Sequence, residues 1–343
     1  MLDDLKYIHQ RDPQDALGIA ERQASQLEYK FEVPKISGDF QNIVFAGMGG
    51  SALPALLSRS WPGYKIPFEV CRQYHIPAYV SDKTLFIACS YSGNTEETLS
   101  ALAEAENRGA VIAVMAGGGK LEEIAGQKNY PFVKIPKAEQ PRYAVFYMLV
   151  ALVAVLESAG LLDAAGVSEQ LAQAASFLKE SVKGWLPTVP QAQNPAKKLA
   201  MELAGKSGVI YAGPLLAPAA YKWKIGFNEN AKNVAWWDEY PEFNHNEFIG
   251  WSSHPIEKPY GVVDLRSNLE HPRVQQRFEL SDRLLSGRRP AANVVQVQGS
   301  NILEQLVWAV AYGDFVTIYL ALLNGVNPAP VDLVEKFKQA LGP

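Results

Sequence analysis

Short apolar segments that alternate with helical stretches constrain the fold of this chain most. In the first half, the predicted strands are residues 42–46, 68–72, 84–90, 110–115 and 132–135. These segments are apolar on both faces, which suits strands that helices cover on both sides. Because strand and helix alternate, the strands are expected to pair in parallel through helical crossovers. The pattern therefore predicts an α/β fold with a doubly wound, mainly parallel sheet flanked by helices.

A second alternation of strands and helices follows a proline-containing break at residues 185–190. Its predicted strands are residues 208–212, 233–236, 260–265 and 293–297. Long helices are predicted over residues 142–159 in the first half and 302–323 in the second. A chain of 343 residues is long enough for about two domains. We therefore expect two tandem domains of the same plan, residues 1–160 and 161–343.

Composition argues against several functional classes. The formal net charge of −4 provides no basic surface for nucleic acid. Two cysteines, Cys71 and Cys89, are too few for a disulfide scaffold or a four-cysteine zinc site. The acidic start is not expected to be a signal peptide. The stretch 143–162, taken as the only membrane-span candidate in the sequence, is expected to be a buried helix. We expect a cytoplasmic protein with no nucleic-acid or membrane partner.

A glycine-rich loop, GMGGSA at residues 47–52, follows the first predicted strand. It fits the dinucleotide-binding pattern GxGxxG/A. An NAD site would need an acidic residue about 20 positions further on, where Cys71 and Arg72 lie instead. Arg72 is compatible with the phosphate of NADP. Another phosphate ligand, or a tight turn that needs glycine only for its backbone, explains the loop as well.

Three hydroxyl side chains surround a second strand–helix turn, SYSGNTEET at residues 90–98: Ser90, Ser92 and Thr95. A helix N-terminus presents free N–H groups and a positive dipole to an anion, and short hydroxyls add donors. Helix capping by Asn94 or Thr95 is the simpler explanation, but it accounts for one hydroxyl rather than three. We therefore predict a pocket for one phosphate monoester, at the sheet edge that the glycine loop also faces.

The SYSGNTEET loop resembles the phosphosugar-binding signature of the sugar isomerase (SIS) domain. With GMGGSA, QPR at residues 140–142, NEN at 228–230 and FNHNE at 243–247, the chain is similar to the bifunctional phosphoglucose/phosphomannose isomerases of archaea and bacteria. The resemblance implies a homodimer whose subunits each contain two SIS domains. It also implies an aldose–ketose isomerase of carbohydrate metabolism, acting in glycolysis and gluconeogenesis. Such an enzyme interconverts glucose 6-phosphate or mannose 6-phosphate with fructose 6-phosphate without a metal or cofactor.

The resemblance further assigns substrate-binding residues. It implies that three hydroxyls hold the phosphate and that the glycine loop lines the sugar. In this sequence these residues are Ser90, Ser92 and Thr95 for the phosphate, and Gly49, Gly50 and Ser51 for the sugar.

Catalysis of this kind needs a base that moves a proton between C2 and C1, and a cation that stabilises the enediolate. By resemblance Glu229 is the base and Arg142 the cation. The other carboxylates considered for the base are Glu239, Glu242 and Glu247.

Ring opening needs a further acid/base pair. His245 matches the family histidine, which enters the site from the partner subunit. Lys338 is preferred over Lys336 as the ring-opening lysine of the last helix, because it shares a helical face with Val334. Ala329 stands where family members usually carry threonine, so acceptance of mannose 6-phosphate stays open.

Two other functions also stay open. A non-catalytic phosphosugar-binding regulatory module would bind fructose 6-phosphate without turnover. The second is an NADP-dependent enzyme, a hypothesis that GMGGSA and Arg72 support. NADPH rather than fructose 6-phosphate would then protect the fold.

Overall fold

A computed structural model describes residues 1–138, 140–253 and 259–341. Its strands are β1 (Asn42–Ala46), β2 (Phe68–Cys71), β3 (Thr84–Ser90), β4 (Val111–Ala116), β5 (Phe132–Lys134), β6 (Ser207–Ala212), β7 (Ala235–Glu239), β8 (Tyr260–Arg266) and β9 (Asn293–Gln296). Its helices are α1 (Leu5–Arg11), α2 (Ala16–Arg22), α3 (Leu53–Ser58), α4 (Glu96–Asn107), α5 (Gly119–Lys128), α6 (Val145–Ser158), α7 (Ala164–Val182), α8 (Pro195–Leu203), α9 (Ala217–Glu229), α10 (Glu247–Gly250), α11 (Pro272–Leu284), α12 (Ile302–Leu323) and α13 (Asp332–Leu341).

The chain divides into two compact units. The first unit contains Arg22–Lys179 and also Ile302–Glu304. The second unit contains Met1–Glu21, Glu180–Asn301 and the described residues from Gln305 onward. The domain ranges 1–160 and 161–343 stay a prediction.

The first unit is built on a five-stranded sheet in the order β2-β1-β3-β4-β5, and every pairing is parallel. Alternate residues of one strand enter different cores: Ile43 and Phe45 of β1 pack in the core that contains α6, whereas Val44 packs in the core that contains α4. Helices therefore cover both faces. This confirms the predicted α/β class with a parallel, doubly wound sheet, whose topological switch point lies between β1 and β3.

The second unit has a four-stranded sheet in the order β7-β6-β8-β9, again parallel throughout. This order repeats that of the first sheet without a fifth strand, so its switch point lies between β6 and β8. One face carries an aromatic core that includes Tyr211, Tyr240 and Phe278. The similar plan expected of the two halves is thus present in their strand order.

Among the strands and long helices predicted above, two have a boundary that differs by more than one residue. Strand β7 is Ala235–Glu239 rather than residues 233–236. It is an edge strand in which Trp236 is 51% exposed, so the apolar residues did not mark where the strand begins and ends. The predicted helix over residues 142–159 begins later, at Val145. Arg142 lies instead in a 3-10 turn, Pro141–Tyr143.

Among the described residues, helix α12 is the one helix long and apolar enough to cross a membrane. The expectation that residues 143–162 hold the only such candidate is therefore wrong, because α6 has just 14 residues. Within its apolar window α12 is 94% buried. Its Asp314 pairs with Lys222 of α9, and the Tyr319 hydroxyl donates to the Trp185 carbonyl at 2.6 Å. Burial of this kind is typical of a core helix.

Candidate active site

Three of the predicted segments meet in the first unit. The loop after β1 and the loop after β3 are joined by a 2.9 Å hydrogen bond from the Tyr91 backbone N–H to Ser51 Oγ. At the neighbouring position of the glycine loop, a Cβ added at Gly50 would lie 3.2 Å from the Pro141 carbonyl carbon and 3.3 Å from the Arg142 nitrogen. The glycine loop therefore contacts both the hydroxyl loop and the turn that carries Arg142.

The three predicted phosphate-binding hydroxyls form one hydrogen-bonded cluster. Ser90 Oγ lies 2.7 Å from Thr95 Oγ1 and 3.3 Å from Ser92 Oγ. Ser90 is buried at the base, whereas Ser92 is exposed. The cluster leads from the end of β3 to the surface at the start of α4.

The capping explanation fails for the Thr95 side chain. Thr95 occupies the N-cap position of α4, yet its side chain makes no capping hydrogen bond. Its hydroxyl contacts Ser90 instead. Asn94 Oδ1 accepts from the Lys120 N–H at 2.9 Å, so this side chain also bonds outside α4. The positive end of a 12-residue helix and three adjacent hydroxyls are together well suited to hold a phosphate group.

The turn after β4 holds this loop in place, a role that was not predicted for it from the sequence. Gly93 has φ +70°, and a Cβ there would lie 1.6 Å from the Gly118 carbonyl oxygen. The Leu121 N–H donates to the Gly93 carbonyl at 3.0 Å. The signal was the run AGGGK at residues 116–120, directly after a predicted strand.

Arg142 is a buried cation beside the glycine loop, with 1% of its surface exposed. The guanidinium carbon lies 4.7 Å from the centroid of the Tyr143 ring. A buried arginine next to a ligand loop can stabilise negative charge that develops during a reaction.

Glu229 belongs to the second unit and is the last residue of α9, where it is half-buried. The helix end is firmly anchored. Asn230 Nδ2 donates to Thr317 Oγ1 of α12 at 2.9 Å, and both residues are fully buried. Lys232 Nζ donates to the Glu229 carbonyl at 2.7 Å and to the Pro328 carbonyl at 3.1 Å. These contacts fix the backbone at Glu229 and link it to the segment that leads into α13.

His245 and Lys338 lie on the surface of the second unit. His245 ends the 3-10 turn Glu242–His245 and is exposed. Lys338 is also exposed, and its Nζ donates to Glu335 Oε1 at 2.8 Å. None of the ten residues of α13 is buried, although Leu333 and Phe337 are apolar. Exposure therefore does not separate Lys338 from Lys336.

One of the alternative carboxylates has an unusual environment. The Tyr211 hydroxyl donates to Glu247, and burial raises the pKa of Glu247, with a further increase from Asp238. Tyr211 is itself part of the aromatic core. Glu247 is therefore tied to the interior of the second unit, whereas Glu242 is exposed and accepts from Asn246 Nδ2 at 2.7 Å.

Comparison with known proteins identifies relatives over almost the whole chain. A family profile described as the C-terminal SIS domain of bacterial phospho-glucose isomerase matches residues 192–341. A bifunctional phosphoglucose/phosphomannose isomerase from Caldicellulosiruptor bescii is 35% identical, with 88% of this chain and 90% of that protein covered. The enzyme of the same name from Aquifex aeolicus is 30% identical, with 92% and 95% covered.

Among solved structures, a glucose-6-phosphate isomerase like protein from Thermus thermophilus superposes with a TM-score of 0.68. It covers 98% of each chain at 21% identity, a likeness that shows the fold. The identity and coverage of the curated relatives go further than the fold. The chain belongs to the family of bifunctional phosphoglucose/phosphomannose isomerases.

Proposed function

We propose that this chain is an aldose–ketose isomerase that interconverts glucose 6-phosphate and mannose 6-phosphate with fructose 6-phosphate. The observation that carries the proposal is the cluster of Ser90, Ser92 and Thr95 at the start of α4, which the glycine loop links to the turn of Arg142. A single phosphate group fits three hydroxyls at a helix N-terminus. The names of the curated relatives supply the substrate class.

In the proposed reaction, the phosphate binds at the hydroxyl cluster and Gly49, Gly50 and Ser51 line the sugar. Binding energy from the phosphate then positions the reacting carbons.

The chemical step in this proposal belongs to Glu229 and Arg142. Glu229 removes the proton from C2 of the open-chain aldose and returns it to C1, while a proton moves between the two oxygens. Arg142 stabilises the negative charge of the enediolate between these steps. The residue pairs Asn230–Thr317 and Lys232–Pro328 hold the helix end that carries the base.

Ring opening is assigned to His245 and Lys338. Both are exposed on their unit, which agrees with a site that a second subunit completes. We propose a homodimer in which His245 enters the site of the partner subunit, and a cytoplasmic enzyme of glycolysis and gluconeogenesis. The proposed SIS domains are residues 1–160 and 161–343.

The test is a coupled assay of the purified protein and of Glu229→Gln, with glucose 6-phosphate and mannose 6-phosphate supplied separately and EDTA present. We expect turnover of both sugars by the wild type. The variant should lose at least about 10³-fold in kcat while it still binds fructose 6-phosphate, because the amide cannot accept the carbon-bound proton.

Glu202→Gln on the exposed face of α8 is the matched control and should behave as the wild type. An active Glu229→Gln variant would remove the role of Glu229. Binding of fructose 6-phosphate without any turnover by the wild type would favour a regulatory module instead.

A further inference from the structure

The second unit repeats the strand order that creates the ligand crevice of the first. In the first sheet the crevice lies between β1 and β3, and in the second the equivalent position lies between β6 and β8. Open parallel sheets bind ligands outside the carboxyl ends of strands at this position. The topology therefore provides a second crevice, bordered by the loops after β6 and β8.

The side chain of Glu270 fills this second crevice. Its Oε1 accepts a hydrogen bond from the Leu215 backbone N–H at 2.7 Å. A Cβ added at Gly213 would lie 2.4 Å from the same oxygen. Glu270 is only 5% exposed. A carboxylate that rests on a glycine turn and accepts a backbone N–H occupies the place of a bound anion.

Two other polar side chains beside this crevice, Ser267 and His271, also form hydrogen bonds within the unit. Ser267 follows β8 as the hydroxyl loop follows β3, but its Oγ donates to Gln305 Oε1 at 2.5 Å and accepts from the Leu269 N–H at 3.0 Å. The next helix, α11, is capped by His271 Nδ1, which accepts from the Arg273 N–H at 3.1 Å. In the first unit, by contrast, the Thr95 side chain leaves α4 without such a cap.

A second acidic residue lies beside this crevice, because Glu239 at the end of β7 pairs with Ala212, which directly precedes Gly213. Burial, and to a smaller extent the Glu239 carboxylate, raises the pKa of Glu270. A phosphate dianion placed there would face Glu239 as well as Glu270, and like charges in a buried site disfavour each other.

We infer that Glu270 is a built-in anion that closes the second crevice, so that each chain binds one phosphosugar rather than two. The count of phosphosugars rests on the proposed function of the first crevice. The role of Glu270 as an internal ligand does not.

The experiment compares Glu270→Ala, which empties the position, with Glu270→Gln, which fills the same space and keeps an acceptor for the Leu215 N–H. Melting temperatures are measured in sodium formate, in inorganic phosphate and in sodium chloride of equal ionic strength. Formate is included because it carries one negative charge, so Glu239 repels it less than it repels a phosphate dianion.

We expect formate to raise the melting temperature of Glu270→Ala by about 2–4 °C more than chloride does. It should have no such effect on the wild type or on Glu270→Gln. Should Glu270→Ala fail to fold in chloride, recovery of folded protein on refolding in formate supports the inference. Equal behaviour of Glu270→Ala in formate and chloride, folded or not, overturns it.

Titration calorimetry of the wild type with fructose 6-phosphate tests the count. One equivalent per chain is expected, and two equivalents would contradict the closed second crevice. The two proposals fail separately: anion rescue of Glu270→Ala without sugar turnover would leave Glu270 in place and remove the isomerase. Turnover without rescue would do the reverse.

Discussion

At the scale of single residues, Gly93 controls the shape of the hydroxyl loop. Its positive φ suits glycine, and the space for a side chain is filled by the Gly118 carbonyl oxygen. Gly109 provides a comparison, because its φ is +74° but nothing lies within 4 Å of an added Cβ. The two positions therefore separate the cost of the backbone conformation from the cost of the clash.

We expect Gly109→Ala to lower the free energy of unfolding by about 1 kcal/mol, through the left-handed backbone alone. Gly93→Ala should cost about 3 kcal/mol or more, since the loop must also move away from the turn after β4. It should weaken fructose 6-phosphate binding, which Gly109→Ala should not. Urea unfolding measures the free energy of unfolding, and titration calorimetry measures fructose 6-phosphate binding. Equal losses in the two variants would show that the contact of Gly93 with the Gly118 carbonyl does not hold the loop in place.

Glu247 should make stability depend on pH. Its pKa in the folded protein is raised above the ordinary value, first by burial. Such a group contributes stability below its unfolded pKa and loses that contribution as pH rises through the folded pKa. Glu247→Gln stays neutral and can still accept from Tyr211.

The variant should therefore become more stable relative to the wild type as pH rises from about 4 to about 8. Urea unfolding at a series of pH values tests this, with the exposed Glu242→Gln as control. A stability difference that does not vary with pH would show that Glu247 does not carry the effect.

At the scale of elements, α9 and α12 are joined by polar contacts inside the second unit. Asn230 meets Thr317 at the end of α9, and Lys222 meets Asp314 two turns earlier. Gly226 lets the helices approach, because a Cβ there would lie 2.8 Å from Thr317 Oγ1. These contacts position the helix end at Glu229 without touching its carboxylate.

Thr317→Val keeps the shape of the side chain but removes the hydroxyl oxygen that accepts from Asn230 Nδ2. We expect a loss of about 1–3 kcal/mol in the free energy of unfolding. If Glu229 is the base, kcat should fall with little change in KM. Thr317→Ser keeps the hydroxyl and should therefore retain the stability and the kcat of the wild type. A loss of stability with kcat unchanged would show that the contact is only structural.

Sequence patterns predicted elements better than contacts between them. Strands β1 and β3 were predicted with their observed bounds because both faces are buried and apolar. The loop that carries Ser90, Ser92 and Thr95 followed from a local motif. The contact of Gly93 with Gly118 and that of Asn230 with Thr317 join distant parts of the chain. No local pattern marks which glycine faces a carbonyl, or which threonine accepts from a buried amide.

At the scale of the whole molecule, the proposed dimer assigns the base and the histidine of one site to different subunits. Glu229→Gln and His245→Ala should each be inactive alone. Equal amounts of the two variants are combined, unfolded and refolded together. Half of the dimers then contain one subunit of each variant and are called mixed dimers. One site in each mixed dimer then holds an intact Glu229 and an intact His245 from the other subunit.

About one quarter of wild-type activity should return in this mixture. The coupled assay measures it, and a mixture of Glu229→Gln with the double variant is the control that should stay inactive. Absence of recovery, with mixed dimers shown by a size tag, would place His245 in the site of its own subunit.

The contact between Gly50 and the Pro141–Arg142 backbone sets a limit on how this molecule can change. A Cβ added at Gly50 would meet the Pro141 carbonyl carbon, the Arg142 nitrogen and the Pro141 Cβ at 3.2, 3.3 and 3.4 Å, and no change of rotamer can move these three atoms away. A larger residue at position 50 would push the arginine turn outward as a unit. We therefore expect that a variant with more space for a bulkier sugar would have to change the Pro141–Arg142 turn, while position 50 stays glycine.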